Sequence, residues 1–418
     1  METKLDRKWI DEYKRRASFS TLTFLKVNTR YLKSQEDDFI SEKINNPKLI
    51  YHRLSDFDFK EWRNRLEELL ERILKEEKNE LVKEAYKGRI EERLETLALL
   101  EATHKGDDPK FMCLSEKLFG SLDEDVLAQS LFNVRENIKR RLRSKNKKVR
   151  SETENFIKYL ETEFSVTPRN IFPHSHDQEK IRNGKKSHLG PEDIKREVEA
   201  AFDKLGIKND WKAVVGDYLN ISVNYAEKEL RIPRIRKADH REMVGLIAHE
   251  VGTHILRRIN GRKSPLALLG SGLDYHSSAE EGLAMHREFE ASGVERRLGV
   301  MDFAAALAMG FQTKPHSFRE VYNVLKQYYF VGNSLPDIAA REQRAHDKAW
   351  RQTVRVFRGT SGRNKGYCFT RNLIYHQGLI NIRKILEKGE ITEEQMLLGK
   401  FDPGNEEHLR ILRGLGIL

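Results

Sequence analysis

His249-Glu250-Val251-Gly252-Thr253-His254 is the stretch that decides how this chain is read. Two imidazoles and a carboxylate stand together, and a second carboxylate pair follows in Glu280-Glu281-Gly282-Leu283-Ala284. Imidazole nitrogen and carboxylate oxygen are both ligands for zinc, and a catalytic zinc leaves one position to water. The common arrangement spaces its histidines four apart on one helical face, whereas here the spacing is five. At about 100° per residue, five steps of a regular α-helix carry His254 roughly 140° away from His249. The two rings can share a ligand only if the helix absorbs one extra residue, as a π-bulge does. The sequence therefore predicts a π-bulge near Val251–Thr253, eased by Gly252.

The flanks support a helix there. Met243, Val244, Ile247, Ala248, Val251 and Ile255 recur at helical spacing between Arg241 and Arg258, and Asn260-Gly261 supplies a stop. A second helix is expected over Ala279 to Glu290, with Leu283, Met285 and Phe289 as its apolar members. Adjacent residues point about 100° apart, so only one of Glu280 and Glu281 faces a metal. Spacing does not say which. Glu288 and Glu290 read as a solvated face or as support for the ligands, as do the loop groups Asp274 and His276. Two core histidines with backbone partners are the alternative to a metal site. Upstream, Trp211–Val215, Asn220–Tyr225 and Glu229–Ile232 read as short strands. A small sheet ahead of a His-Glu helix is a layout that many zinc peptidases use, and its edge can hold an extended peptide.

The combination of His249-Glu250-x-x-x-His254 with Glu281-Gly282-Leu283-Ala284 resembles a known family. It is similar to the tyrosine carboxypeptidases that act on microtubules and to their bacterial relatives named for a Gln-Glu-Gly-Leu-Ala motif. The resemblance covers roughly residues 40–415 and is strongest over 245–290. It implies that His249, His254 and Glu281 bind one Zn2+ per chain and that Glu250 is the catalytic base. Glu280 departs from the motif, which has Gln there. Family likeness further implies release of a C-terminal tyrosine or other aromatic residue, a specificity that belongs to the tubulin-trimming members. Their target is an acidic tail. The first motif alone is less specific, because dipeptidyl peptidase III enzymes also carry it. Arg355 to Gly378 resembles the family's C-terminal motif region, although Arg371-Asn372 stands where Lys-Asp is expected. By position there, Arg355 and Arg358 are the candidates to grip a substrate carboxylate, a task that suits a bidentate guanidinium; surface ion pairing is their alternative. Tyr375 is a candidate oxyanion donor, with a packed tyrosine as its alternative.

Composition narrows the classes. The 418 residues carry a net charge of +11, are 38% hydrophobic and 34% charged, and include only two cysteines, Cys113 and Cys368. No apolar run approaches the ~18 residues of a membrane span, and the N-terminus lacks an apolar signal region. These features suit a cytoplasmic, helix-rich protein without a cysteine-based metal site. Both cysteines read as buried small hydrophobes. Excess positive charge favours acidic partners.

Along the chain, residues 1–30 read as a loosely attached arm or a first helix. Amphipathic helices are expected from Lys60 to Lys75, from Glu80 to His104 and onward from Asp123. Lys139 to Arg150 is the most basic run, but no aromatic residues interleave for base stacking, so it reads as a solvated helix end and linker. Pro168 to Gly190, with His174, His176 and His188, reads as a loop that could cover the site. Later helices are expected at Ala304–Gly310, Phe318–Phe330 and Asp337–Phe357, then a Gly-rich basic loop, Arg358–Gly366, without a phosphate-loop pattern.

The expected fold is α+β and mostly helical, with a zincin-like metallopeptidase core whose small sheet precedes the zinc-binding helix. The expected division is an arm (1–40), a helical region (41–165) and a catalytic domain (166–418). The expected function is zinc-dependent hydrolysis of the C-terminal residue of a peptide or protein. Two alternatives compete with it. One is a dipeptidyl peptidase or aminopeptidase, which needs an acidic group for the substrate amine. The other is a regulator that binds nucleic acid through residues 139–150 and keeps zinc structurally.

Overall fold

The computed structural model describes residues 4–171, 188–294 and 298–418. Helices dominate, and one three-stranded sheet interrupts them. The expected helices form where the apolar spacing placed them. Phe59–Glu76 starts on an Asp58 cap, Glu80–Lys105 on Asn79, and Ile338–Val356 on Asp337. Each cap side chain accepts from a backbone N–H that has no partner inside its own helix.

Three apolar clusters hold the elements together. The largest gathers Phe39, Leu131, Phe156, Phe303, Phe318 and Trp350, so it joins helices from both halves of the chain. A second packs Trp9, Leu66 and Tyr86 against Leu268, Phe401 and Leu412. The third lies between the sheet and the metal-motif helix and includes Phe202, Leu230, Ile232, Val251 and Ile255.

Of the two readings of the N-terminus, the structure shows a first helix, Arg7–Ala17. It is docked: Trp9 is fully buried, and the buried Asp6 carboxylate accepts from the amides of Ala267 and Leu268 and from the Tyr86 hydroxyl. The basic run differs from its expected form. It is a 3-10 turn, Arg140–Arg143, followed by a full helix, Lys147–Glu163, that buries Val149, Thr153, Phe156 and Leu160. The apolar stripe was present, but the lysines and arginines crowding its first turn obscured it.

The sheet has order β1-β3-β2, with β1 Lys212–Gly216, β2 Ser222–Asn224 and β3 Glu229–Pro233. β1 runs parallel to β3, and β2 runs antiparallel to it. The central strand is almost wholly buried, as its position between two neighbours requires. β1 packs on the Pro191–Lys204 helix, and the edge strand β2 lies against the metal-motif helix.

The Glu280-Glu281 pair rides on the helix Ser277–Ser292, which packs along Leu373–Lys388. Two glycines allow the contact. A Cβ on Gly282 would stand 2.2 Å from the Gly378 carbonyl, and one on Gly378 would stand 2.1 Å from the Ser278 oxygen. No helix among the described residues is long and apolar enough to cross a membrane.

Both cysteines are free, but they are not alike. Cys368 is buried as expected, and burial pushes its thiol up to about 12. Cys113 is exposed, on the outer face of Asp108–Phe119; the buried Phe111 and Ser115, two positions to either side, lie on the opposite side of that helix. A thiol reagent at pH 8 should therefore titrate one cysteine in the native protein and two after denaturation, and two fast native equivalents would contradict this packing. Gly282→Ala should force the two helices apart at a cost of about 1–3 kcal/mol, read as a lowered denaturant midpoint.

Candidate metal centre

The metal-motif helix is continuous but not uniform. His240–Leu246 is α-helical, Ile247–Ile255 is π-helical, and Leu256–Lys263 is α-helical again. The expected bulge is therefore present, spread over a longer stretch. Gly252 is not what permits it. Its φ is not left-handed, and an added Cβ would meet its nearest atoms at an ordinary 3.6 Å. The π winding instead brings residues five apart onto one face, and the His249 and His254 rings stand 4.9 Å apart, centroid to centroid. The Thr253 hydroxyl donates to the Ala248 carbonyl, also five residues back, at 2.9 Å. Val251 and Ile255 then face the sheet, and the histidines face the Ser277–Ser292 helix.

The geometry separates the paired carboxylates. One oxygen of Glu281 lies 3.9 Å from His249 Nε2 and 3.6 Å from His254 Nε2. Ligand atoms of His249, His254 and Glu281 all fall within 4.8 Å of one another. Bonds of about 2.0–2.2 Å to a tetrahedral zinc put neighbouring ligand atoms about 3.3–3.6 Å apart, so these residues fit a divalent ion after small side-chain movements. Their outer nitrogens are occupied. His249 Nδ1 meets Glu288 at 3.0 Å, and His254 Nδ1 meets Glu280 at 2.8 Å. A carboxylate can only accept, so each Nδ1 is the donor and each Nε2 is turned toward Glu281. Glu288 stands seven residues after Glu281, nearly two helical turns on, and so shares its face.

Glu280 is buried at the centre of a charged cluster. Besides His254 it takes Arg257 at 2.6 Å and Lys400 at 2.7 Å. Burial works to raise its carboxyl, but the Lys400 and Arg257 charges overcome this and hold it well below the usual carboxylate range. Burial likewise opposes ionisation of Glu281, and the two histidines bring it below its ordinary value. Glu250 behaves oppositely. Burial raises its carboxyl, and the nearby histidines only partly offset that. His249 and Glu281 keep 15% and 19% of their side-chain surface exposed.

The other candidates fall into two groups. Tyr375 belongs to the centre: its hydroxyl is raised by burial and by the Glu281 charge, and it hydrogen-bonds Arg371. Arg355 donates to Asn372 at 2.8 Å, and Arg358 is half-buried, with its cationic form disfavoured by burial and by Arg355 and Arg371. Among the described residues, none of these three arginines forms an ion pair with a carboxylate. Asp274 and His276 stand further back. Asp274 pairs with His408 at 2.9 Å, and His276 meets the Leu273 carbonyl at 2.6 Å. The loop Arg358–Gly366 is tied down by a buried carboxylate: Asp108 accepts from the Ser361 amide and hydroxyl and from Asn364. His188 is exposed, and His174 and His176 lie outside the described residues.

Arg257, Lys400 and Arg371 were not among the expected site residues. Arg257 follows His254 by three positions on the same helix, which is a readable signal. Arg371 lies in the C-terminal motif region, where it departs from the Lys expected there. Lys400 carries no local signal.

These features define a two-histidine, one-glutamate centre with an adjacent glutamate. The sequence profile of the microtubule-associated tyrosine carboxypeptidase family matches residues 167–418, and the chain belongs to that family. It is 30% identical over 174 residues to microtubule-associated tyrosine carboxypeptidase 1 of Mus musculus, and 29% identical over 174 residues to the Rattus norvegicus protein of the same name. Each match covers 40% of this chain and 32% of the relative, so the likeness spans about a third of the relatives' length.

Metal uptake should be linked to protons. Burial disfavours the His254 cation, yet hydrogen bonds and charges from Glu280 and Glu281 push its pKa well above the ordinary value in the metal-free protein. Its contribution to stability is then complete below about 6.5 and is lost as pH rises through the higher folded value. A metal needs the neutral ring, so affinity should climb with pH across that same window. Calorimetry of zinc binding at pH 7 in buffers of different ionisation enthalpy should report proton release, and none would contradict the protonated resting state.

Proposed function

We propose that this chain is a zinc-dependent carboxypeptidase that removes the last residue, preferentially an aromatic one, from a peptide or protein. The observation that carries the reading is the convergence of His249, His254 and Glu281 beside the half-buried Glu250. A zinc ion held there would supply Lewis acidity to the attacked amide and make water a competent nucleophile near neutral pH. Glu250 takes the proton from the attacking water and delivers it to the leaving nitrogen. Its raised proton affinity suits a group that must hold that proton between the two steps.

Terminus selection follows from charge. Arg355, Arg358 and Arg371 form a cationic wall next to Tyr375 and lack carboxylate partners among the described residues. Such a wall receives a free carboxylate. A peptidase reading the substrate amine would need acidic groups in that place, so the arginines favour the carboxypeptidase over the aminopeptidase type. Tyr375, fixed by Arg371, is the side chain available to donate to the developing oxyanion. The edge of β2, lying against the π-helix, offers backbone pairing to the preceding substrate residues. The small sheet beside the metal-motif helix supports reading this part as a zincin-like core. The relatives' name ties them to tyrosine and to microtubules, and from it we infer the aromatic preference. The net charge of +11 suits an acidic protein tail as substrate.

The test uses a tyrosine-terminated peptide with a free or an amidated C-terminus. Cleavage of the free form alone is expected. Glu250→Gln should keep the metal and lower turnover by at least about 10²-fold. Equal cleavage of both peptides, or an active Glu250→Gln protein, would reject the assignment.

A further inference from the structure

The segment Gly399–Phe401 enters the metal centre from the far end of the sequence and is fixed there on both sides. Arg257 Nε donates to the Gly399 carbonyl at 2.7 Å, and its terminal nitrogen donates to the Phe401 carbonyl at 2.8 Å. Lys400 pairs its own amide with the Leu269 carbonyl and its carbonyl with the Leu273 amide, each at 2.9 Å. The backbone is thus clamped, and the Lys400 side chain has a defined target. Its ammonium is buried against Glu280 Oε1 at 2.7 Å and the Tyr225 hydroxyl at 3.1 Å, and it lies over the Tyr225 ring at 4.8 Å.

Glu280 Oε1 therefore serves two donors, Lys400 Nζ and His254 Nδ1, while Oε2 serves Arg257. Three donors converge on one side chain. A carboxylate satisfies all of them; an amide offers one acceptor atom and turns an N–H2 toward a cation. Without the carboxylate, two buried cations would stand unpaired beside a ligand of the metal, where any dication must feel them.

Resting on the metal-site reading above, we propose that Lys400 is a positioning residue for the metal centre. Its ammonium obliges position 280 to be a carboxylate, and the Lys400–Glu280 pair locks His254 with Nδ1 as donor and Nε2 toward Glu281. Tyr225, at the end of β2, holds the other side of the same ammonium, so the pair also ties the sheet edge to the metal ligand.

Metal affinity, independent of any substrate, tests this. Competition of Zn2+ against a chromophoric chelator, with the Co2+ absorption spectrum as a second readout, is measured for wild type, Glu280→Gln, Lys400→Met and the double variant. Glu280→Gln is expected to weaken binding by about 10–100-fold and to shift the Co2+ bands. Lys400→Met in that background is expected to recover a large part of the loss, because it removes the cation the amide cannot satisfy. A double variant no tighter than Glu280→Gln overturns the proposal. Should Glu280→Gln fail to fold, Lys400→Met alone decides: with one side of the lock on His254 gone, affinity should fall about 10-fold and the Co2+ bands should shift, and affinity at or above wild type overturns the proposal. A wild type that binds no metal rejects the metal site itself. One that binds through His249, His254 and Glu281, with additive effects at 280 and 400, rejects only the role of Lys400.

Discussion

Everything at this centre depends on turning two imidazoles, five residues apart, toward one point. A regular α-helix cannot do this, and π turns are normally a short-range compromise. Here the π segment extends over Ile247–Ile255, and both of its histidines are held from outside. Glu288 fastens His249 and Glu280 fastens His254, both from one neighbouring helix. That helix is held close to Leu373–Lys388 by the Gly282–Gly378 approach, which has no room for a methyl group. The spacing of the motif thus makes demands on packing two layers away, and the glycine of the second motif answers a steric requirement, not a chemical one.

The second constraint is charge. Glu250, Glu280, Glu281 and Glu288 crowd around two histidines, and a buried carboxylate is costly unless it is paired. Glu280 is matched by Arg257 and Lys400, and Glu281 and Glu288 by the imidazoles. Buried ion pairs contribute little net stability against an apolar packing of the same volume. Their effect here is better seen in what they determine: the tautomer of each ring and the rotamer of each carboxylate. Glu250 is the one without a cation of its own, and it is the carboxylate whose affinity for a proton is raised.

Much of this was legible from local pattern. The histidine spacing dictated the π winding, apolar periodicity placed the flanking helices and strands, and cap residues such as Asp58 and Asp337 marked helix starts. The choice between Glu280 and Glu281 was not legible from spacing, because adjacent residues differ by a rotation that only the partner helix fixes. Glu280 turned out to face Lys400, which lies 120 residues away in sequence and in a stretch with no motif. Long-range pairing of this kind leaves no periodic trace. The Lys147–Glu163 helix was hidden for the opposite reason, since its charged first turn masked an apolar stripe at Val149, Phe156 and Leu160. Cys113 shows the same limit: residue type suggests burial, but the face of the helix decides it.

The distribution of charge across the site has a consequence for substrate register. Arg257 and Lys400 compensate Glu280 beside the histidines, whereas Arg355, Arg358 and Arg371, grouped near Tyr375, form no ion pair with a carboxylate among the described residues. Under the carboxypeptidase reading, a substrate brings two oxygen-bearing groups close together, the scissile carbonyl and the terminal carboxylate. The carboxylate is the stronger ligand for a cation and would occupy the metal if nothing else attracted it. Guanidiniums that pair with no carboxylate draw it away. The neutral carbonyl feels that attraction far less and is left facing Glu250. The guanidiniums left without carboxylate partners therefore set the register of the chain end.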